Sequence, residues 1–315
     1  MKSITLLITS LFGKKNMKPV IYALAAAIIM PIPLRGEGFA VQLKAMPLAT
    51  PAQDIQKFIK DSYEANKNDP AYYVASANYW WNLSLAPNIS TKPSEKGDSG
   101  VSDPKTGKEV GSMSTEGRVN PQVPDNAVQL LREALKRFPN RIDIGMGLAY
   151  MLRELDKQKD GLDVLLQVLR NAEKNPTELQ WKNGEPLPAP PKTYIPELMQ
   201  GYTGSFYRLE TKEGDALCHS LCEAIIQTYP DHPYAYNILA ALCRGNKDDQ
   251  GCAKYLLIAC EKAPNDSIVM LNLASTYRRL GNKKEAERYY KLALASKPSE
   301  DIKAEAESAL REINK

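Results

Sequence analysis

The chain has 315 residues, 43% apolar and 25% charged, with 22 prolines, 18 glycines, five cysteines and a formal charge of +4. That composition excludes a disordered, collagen-like or disulfide-dense protein, and the length is enough to bury a sizeable core in one elongated domain or two compact ones. Residues 1–40 hold five bases (Lys2, Lys14, Lys15, Lys18, Arg35) and one acid (Glu37); removing these from totals of 41 bases and 37 acids leaves 36 of each. The rest is neutral, which argues against a nucleic-acid or membrane-surface partner for residues 41–315.

Lys14, Lys15 and Lys18 precede the apolar run Val20 to Met30, which Pro31, Pro33, Arg35 and Glu37 interrupt. With small residues at Gly38 and Ala40, residues 1–40 have the pattern of a cleaved secretion signal, for which Met17 is a more compact start than Met1. Eleven apolar residues are too few to span about 30 Å of hydrocarbon as a helix. Extended through the prolines, the same segment would be an amino-terminal anchor, and a cytosolic amphipathic or core segment is a third reading. No cysteine follows it to accept a lipid. The expected location is periplasmic or secreted.

Ala71 to Leu85 (AYYVASANYWWNLSL), after Asp69-Pro70, predicts a helix with aromatic side chains on two faces: Tyr73 and Trp80 on one, Tyr72 and Tyr79 on the next, with Trp81 beside them. So much aromatic surface needs cover. The insert 86–124 is the nearest candidate for it, and a partner-binding surface is the alternative. Inside that insert the turn Asp103 to Lys108, flanked by Val101, Val110 and Met113, predicts a β-hairpin on a loop. Gly100 to Glu109 superficially resembles a phosphate loop, but its glycines are two residues too far apart and Glu109 stands where a Ser or Thr would bind magnesium.

Further on, Ala127, Leu131, Ala134, Leu135 and Pro139 mark a second helix, and Leu148, Ala149, Gly161, Leu165 and Leu169 a following pair. The second insert, 175–192, carries Trp181, Gly184 and PLPAPP (Pro186 to Pro191), and predicts an extended strap. Helices are expected at Tyr194 to Glu210, Asp215 to Thr228 and, polar on one face, Glu300 to Ile313.

These elements share a register. Pro230, Pro264 and Pro298 are 34 residues apart, and small or apolar residues precede each at fixed offsets: Cys218, Cys252 and Ala286; Cys222, Leu256 and Tyr290; Ile225, Ala259 and Ala293. Each ladder ends at a proline that cannot sit inside a helix. A fixed period of this length denotes stacked supersecondary units.

Here the chain resembles the tetratricopeptide repeat family. In Ser267 to Pro298, the residues Leu273, Ala274, Tyr277, Gly281, Ala286, Tyr290, Ala293, Leu294 and Pro298 fall on the family's usual positions. The preceding unit departs from the pattern: Cys243 replaces the aromatic, and the turn within Gly245 to Gly251 is distorted relative to Gly281-Asn282-Lys283. The resemblance covers about residues 55–313. It implies an all-α fold, a right-handed α-α superhelix of about five helix pairs with a small β-hairpin insertion and a Pro-rich strap. Divergent repeats would fill 41–192, and three clearer units with a capping helix 193–315.

All five cysteines fall on core positions, where a thiol acts as a small hydrophobe. A Cys243–Cys252 disulfide is the alternative, and a metal site on Cys218, His219 and Cys222 is disfavoured because His219 faces elsewhere. His232, in Asp231-His232-Pro233, suits a turn. Neither histidine lies in an HExxH or nucleophile pattern and there is no GxSxG, so no enzyme and no cofactor is expected.

In the family, the first helices of successive units line a groove that grips a peptide or a partner's helix. Carried over, that places Asp143, Met146, Tyr150 and Arg153, then Gln200, Thr203 and Tyr207, then Tyr234, Asn237 and Arg244, then Leu271, Ser275 and Arg278 along it. Asn272 matches a common family asparagine. The Lys and Asn set that grips chaperone tails is absent. The leading reading is an exported, non-catalytic scaffold for a protein or peptide, with no nucleic-acid partner and no membrane contact beyond the amino-terminal segment. An envelope enzyme using the inserts and a structural assembly component are the alternatives.

Overall fold

The computed structural model describes residues 38–46, 51–84, 88–90, 99–102, 109–114 and 122–313. Residues 1–37 of the expected secretion signal (1–40) and the hairpin turn at 103–108 lie outside them. The described residues form two compact units.

In the amino-terminal unit, α1 (Phe39–Ala45), α2 (Ala52–Asp61), α3 (Tyr63–Asn66), α4 (Pro70–Ser84), α5 (Gln122–Arg137) and α6 (Ile142–Glu154) pack around an aromatic centre. Tyr72, Tyr73, Trp80 and Trp81 of α4 are buried. Other helices and their flanks meet these rings. Phe39 of α1 lies 4.6 Å from Tyr72 and stacks on Phe58 at 5.3 Å, Phe138 is 5.9 Å from Tyr73, and Tyr150 is 6.0 Å from Trp81. The cover expected from the insert thus comes in part from α1, from Phe138 just beyond α5 and from α6. Tyr72 donates to the Ile59 carbonyl at 2.7 Å, and burial pushes its hydroxyl up to about 12. Glu133 of α5 accepts from Tyr63 at 2.8 Å, Tyr73 at 3.2 Å and Arg137 Nε at 3.1 Å. Burial alone would raise that carboxyl; these hydrogen bonds outweigh it and hold it below its ordinary value.

Between α4 and α5 the strands β1 (Asn88–Ser90), β2 (Ser99–Ser102) and β3 (Glu109–Ser114) form an antiparallel sheet in the order β1-β3-β2, with Ile89 opposite Met113 and an irregularity between Val101 and Ser102. The sequence suggested two strands; the third, β1, pairs with the other edge of β3. Residues 180–186 belong to this unit as well. Gln180 N–H donates to the Asn140 carbonyl at 2.9 Å and the Gln180 carbonyl accepts from Ile142 N–H at 3.0 Å, with a single 3-10 turn at Lys182–Gly184.

The carboxy-terminal unit holds α7 (Gln158–Lys174), α8 (Pro191–Tyr207), α9 (Lys212–Thr228), α10 (Tyr234–Gly245), α11 (Asp249–Lys262), α12 (Ser267–Arg279), α13 (Lys283–Ala295) and α14 (Glu300–Ile313). The compact unit thus begins earlier than the division at 192 drawn from the sequence, because α7 packs on α8 and α9. Each helix from α8 onward packs on the next, and α10 also meets α8, as α14 meets α12. This is the all-α stacking of helix pairs that the 34-residue register implies. The repeated small and apolar residues form its interior: Cys252, Leu256, Ala259, Leu273, Ala274, Ala286, Tyr290 and Ala293 are buried.

The second helix of each pair starts in one way. Thr211, Asp248 and Asn282 each accept from the backbone N–H three residues on, capping α9, α11 and α13. The residue before each cap, Glu210, Lys247 or Gly281, has positive φ. Among the described residues no helix is long and apolar enough to cross a membrane.

Candidate functional site

The first helices α8, α10 and α12 present one small recess, lined from these helices by Tyr207, Asn237, Ile238, Ala240, Ala241, Arg244, Asn272 and Thr276, and from α11 by Cys252 and Leu256. The period of the repeat makes this surface: Asn237 and Asn272 occupy neighbouring helices, and Asn272 Nδ2 points at Asn237 Oδ1 from 3.5 Å. That separation is long for a hydrogen bond, so the amides keep capacity for a ligand. Ile238, Ala240 and Leu256 make an apolar floor, and Tyr207 and Arg244 stand half-buried at its edge. Beneath, Cys252 Sγ lies 3.3 Å from Thr276 Oγ1, which donates to the Asn272 carbonyl at 2.8 Å and accepts from Arg279 at 3.0 Å. Burial pushes the Cys252 thiol up, against a smaller opposing effect of the Thr276 hydrogen bond.

Tyr207, Asn237, Arg244 and Asn272 of the expected groove set therefore come together here. Others sit differently. Tyr234 is turned inward, 8% exposed, its hydroxyl 2.6 Å from Thr203 Oγ1 and donating to the Gln200 carbonyl at 3.1 Å. Met146 and Leu271 are core residues. Asp143 is a buried partner of Arg141, held by two hydrogen bonds of 2.8 Å. Arg278 reaches the capping helix at Glu312, 2.8 Å away, and Ser275 accepts from Arg279 at 3.4 Å. Tyr150 and Arg153 lie in the amino-terminal unit, where the Arg153 guanidinium sits 5.0 Å over the Tyr150 ring and pairs with Glu154 at 2.9 Å. The sequence reading missed Cys252, Leu256 and Thr276 as lining residues because they repeat as core positions. Only the packing of α11 against α12 turns their edges to the recess.

The recess has no carboxylate and no histidine among its lining residues. It offers amides, one cation, an aromatic ring and an apolar floor. The five cysteines are free, with Cys218, Cys222 and Cys252 buried. His219 lies on the exposed side with Nδ1 3.3 Å from Glu223, while Cys218 turns inward to donate to the Thr203 carbonyl at 3.4 Å. His219 therefore faces away from Cys218 and Cys222, whose thiols lie within hydrogen-bonding reach of each other.

Residues 269–300 match the family model described as Tetratricopeptide repeat. That stretch is nearly all of α12, which brings Asn272 and Thr276 to the recess, and the whole of α13. No curated protein sequence matches the chain. Among solved structures, the chain is similar to YrrB, titled "a TPR protein with an unusual peptide-binding site", at 12% identity, covering 79% of this chain and 97% of that one with a TM-score of 0.41. It is also similar to TTC0263, a thermophilic TPR protein of Thermus thermophilus, at 17% identity over 59% and 90% with a TM-score of 0.34. A third is PilW, a type IV pilus biogenesis factor, at 14% identity over 80% and 89% with a TM-score of 0.37.

Proposed function

We propose that the protein is a non-catalytic scaffold whose carboxy-terminal unit holds an extended peptide of a partner protein in the recess of α8, α10 and α12. The observation that supports this is the pairing of Asn237 with Asn272 above an apolar floor, with Tyr207 and Arg244 at the edge. The amides can hold peptide backbone, Arg244 an acidic or C-terminal carboxylate, and Tyr207 a side chain by ring contact. Selection of displayed peptides on the full chain, followed by calorimetry, tests it. Tyr207→Ala and Arg244→Ala are each expected to weaken a selected peptide at least tenfold, while Arg278→Ala leaves it unchanged. Equal affinity for all three would sink the assignment.

We also infer that the chain is exported, from the basic residues and apolar run ahead of Gly38. The buried position of Phe39 argues that processing falls before it and not after Ala40, since removal would strip a ring from the aromatic centre.

A further inference from the structure

The amino-terminal unit has a groove of its own, between α2 and α5 with α4 beneath. None of the residues carried over from the family's groove lines it. Its floor is apolar, made by Ile59, Trp80 and Leu130, and its walls carry Lys60 and Lys136. Both lysines are exposed, and neither has an ion-pair partner among the described residues. The one acid on the wall, Glu133, already accepts from Tyr63, Tyr73 and Arg137, so its charge is met from within the fold. Cationic walls above an apolar floor are complementary to a chain that alternates carboxylates with apolar side chains.

We propose that this groove is a second docking site and that its occupant is an acidic peptide segment of a partner protein. Carboxylates of that segment pair with Lys60 and Lys136, an apolar side chain rests on Leu130 and the edge of Trp80, and Gln56 and Gln129 are placed to hold its backbone. The site is independent of the carboxy-terminal recess.

The test uses the full chain and a fluorescein-labelled 12-residue peptide of alternating Glu and Leu, read by anisotropy at low salt, with a Lys/Leu peptide as control. Saturable binding of the Glu/Leu peptide is expected, weakened by 300 mM salt and reduced at least tenfold in Lys60→Glu/Lys136→Glu. A milder Lys60→Gln/Lys136→Gln variant, checked for an unchanged melting temperature, should show an intermediate loss. Arg278→Ala, outside both sites, should have no effect. The proposal is overturned by absence of saturable binding, by equal binding of the Lys/Leu peptide, by full affinity in both lysine variants, or by an equal loss on Arg278→Ala. Preference for an oligonucleotide or for anionic vesicles over the Glu/Leu peptide also overturns it.

Discussion

Lys247 and Gly281 stand at one backbone position of successive repeats, 34 residues apart, with φ of 62° and 75°. Each precedes the residue that caps the next helix, Asp248 or Asn282. The left-handed conformation suits glycine and costs an L-residue about 1–2 kcal/mol, so the fold imposes this turn on a lysine. Lys247→Gly is expected to raise stability by about 1 kcal/mol, the gain reduced by the extra freedom of glycine in the unfolded chain. Gly281→Ala should lower it by a similar amount, and because nothing lies within 4 Å of the added carbon, the cost is one of backbone alone. Urea midpoints at unchanged slope measure both. An unchanged midpoint for Lys247→Gly would show that the turn is not strained.

The same pair shows how the sequence was and was not legible. The ladder of small and apolar residues ending at Pro230, Pro264 and Pro298 was enough to place the helices of the carboxy-terminal unit, because a helix face repeats its burial every three to four residues. The turn at 245–251 looked distorted because its glycines are displaced from the family's place, yet packing restores the turn with a lysine in the glycine position. The recess was half legible: Tyr207, Asn237, Arg244 and Asn272 project from first helices as the family pattern implies. Tyr234 follows the same offset but found a partner inside, Thr203, and a linear pattern does not register a partner 31 residues away, while Asp143 is claimed by Arg141 at the helix start.

Arg141 and Asp143 form a bidentate pair, 6% and 9% exposed, at the start of α6. Buried charges of this kind gain little over well-packed apolar residues, but breaking one leaves the other uncompensated. Arg141→Leu alone should cost about 3–5 kcal/mol. Arg141→Leu/Asp143→Leu should recover most of that loss in a double-mutant cycle. Additive losses would mean that the two charges do not act as a pair.

The protein should lose stability in alkali. Burial pushes Cys260, Tyr72 and Tyr229 each up to about 12, from ordinary values of 9.0 for the thiol and 10.0 for the phenols. With folded values raised above unfolded ones, the unfolded chain gives up these protons first. Stability is therefore fully present below about pH 9 and is lost as pH rises through about 12. Urea midpoints at pH 8 and pH 10.5 should differ, the higher pH being the less stable. Because the thiolate is the reactive form, Cys260 should also label slowly with an aromatic disulfide at pH 9 in the native protein and quickly in denaturant. Equal rates would remove burial as the cause.

Phe39 joins the question of export to that of stability. It is 4% exposed, stacked on Phe58 and tilted against Tyr72, in a helix that supplies part of the cover over α4. Deleting a buried phenyl ring costs about 3–5 kcal/mol, less where the site can collapse. Phe39→Ala is thus expected to lower stability by about 3 kcal/mol, and a chain beginning at Val41 by at least as much, since it also loses the first turn of α1. If the exported protein is cut where the small residues Gly38 and Ala40 suggest, it pays that cost in every copy. If it is cut earlier, α1 stays whole. Amino-terminal sequencing of the mature protein decides between them: retention of Phe39 is the expected result, and a terminus at Val41 together with an unchanged melting temperature would show that α1 contributes nothing to the aromatic centre.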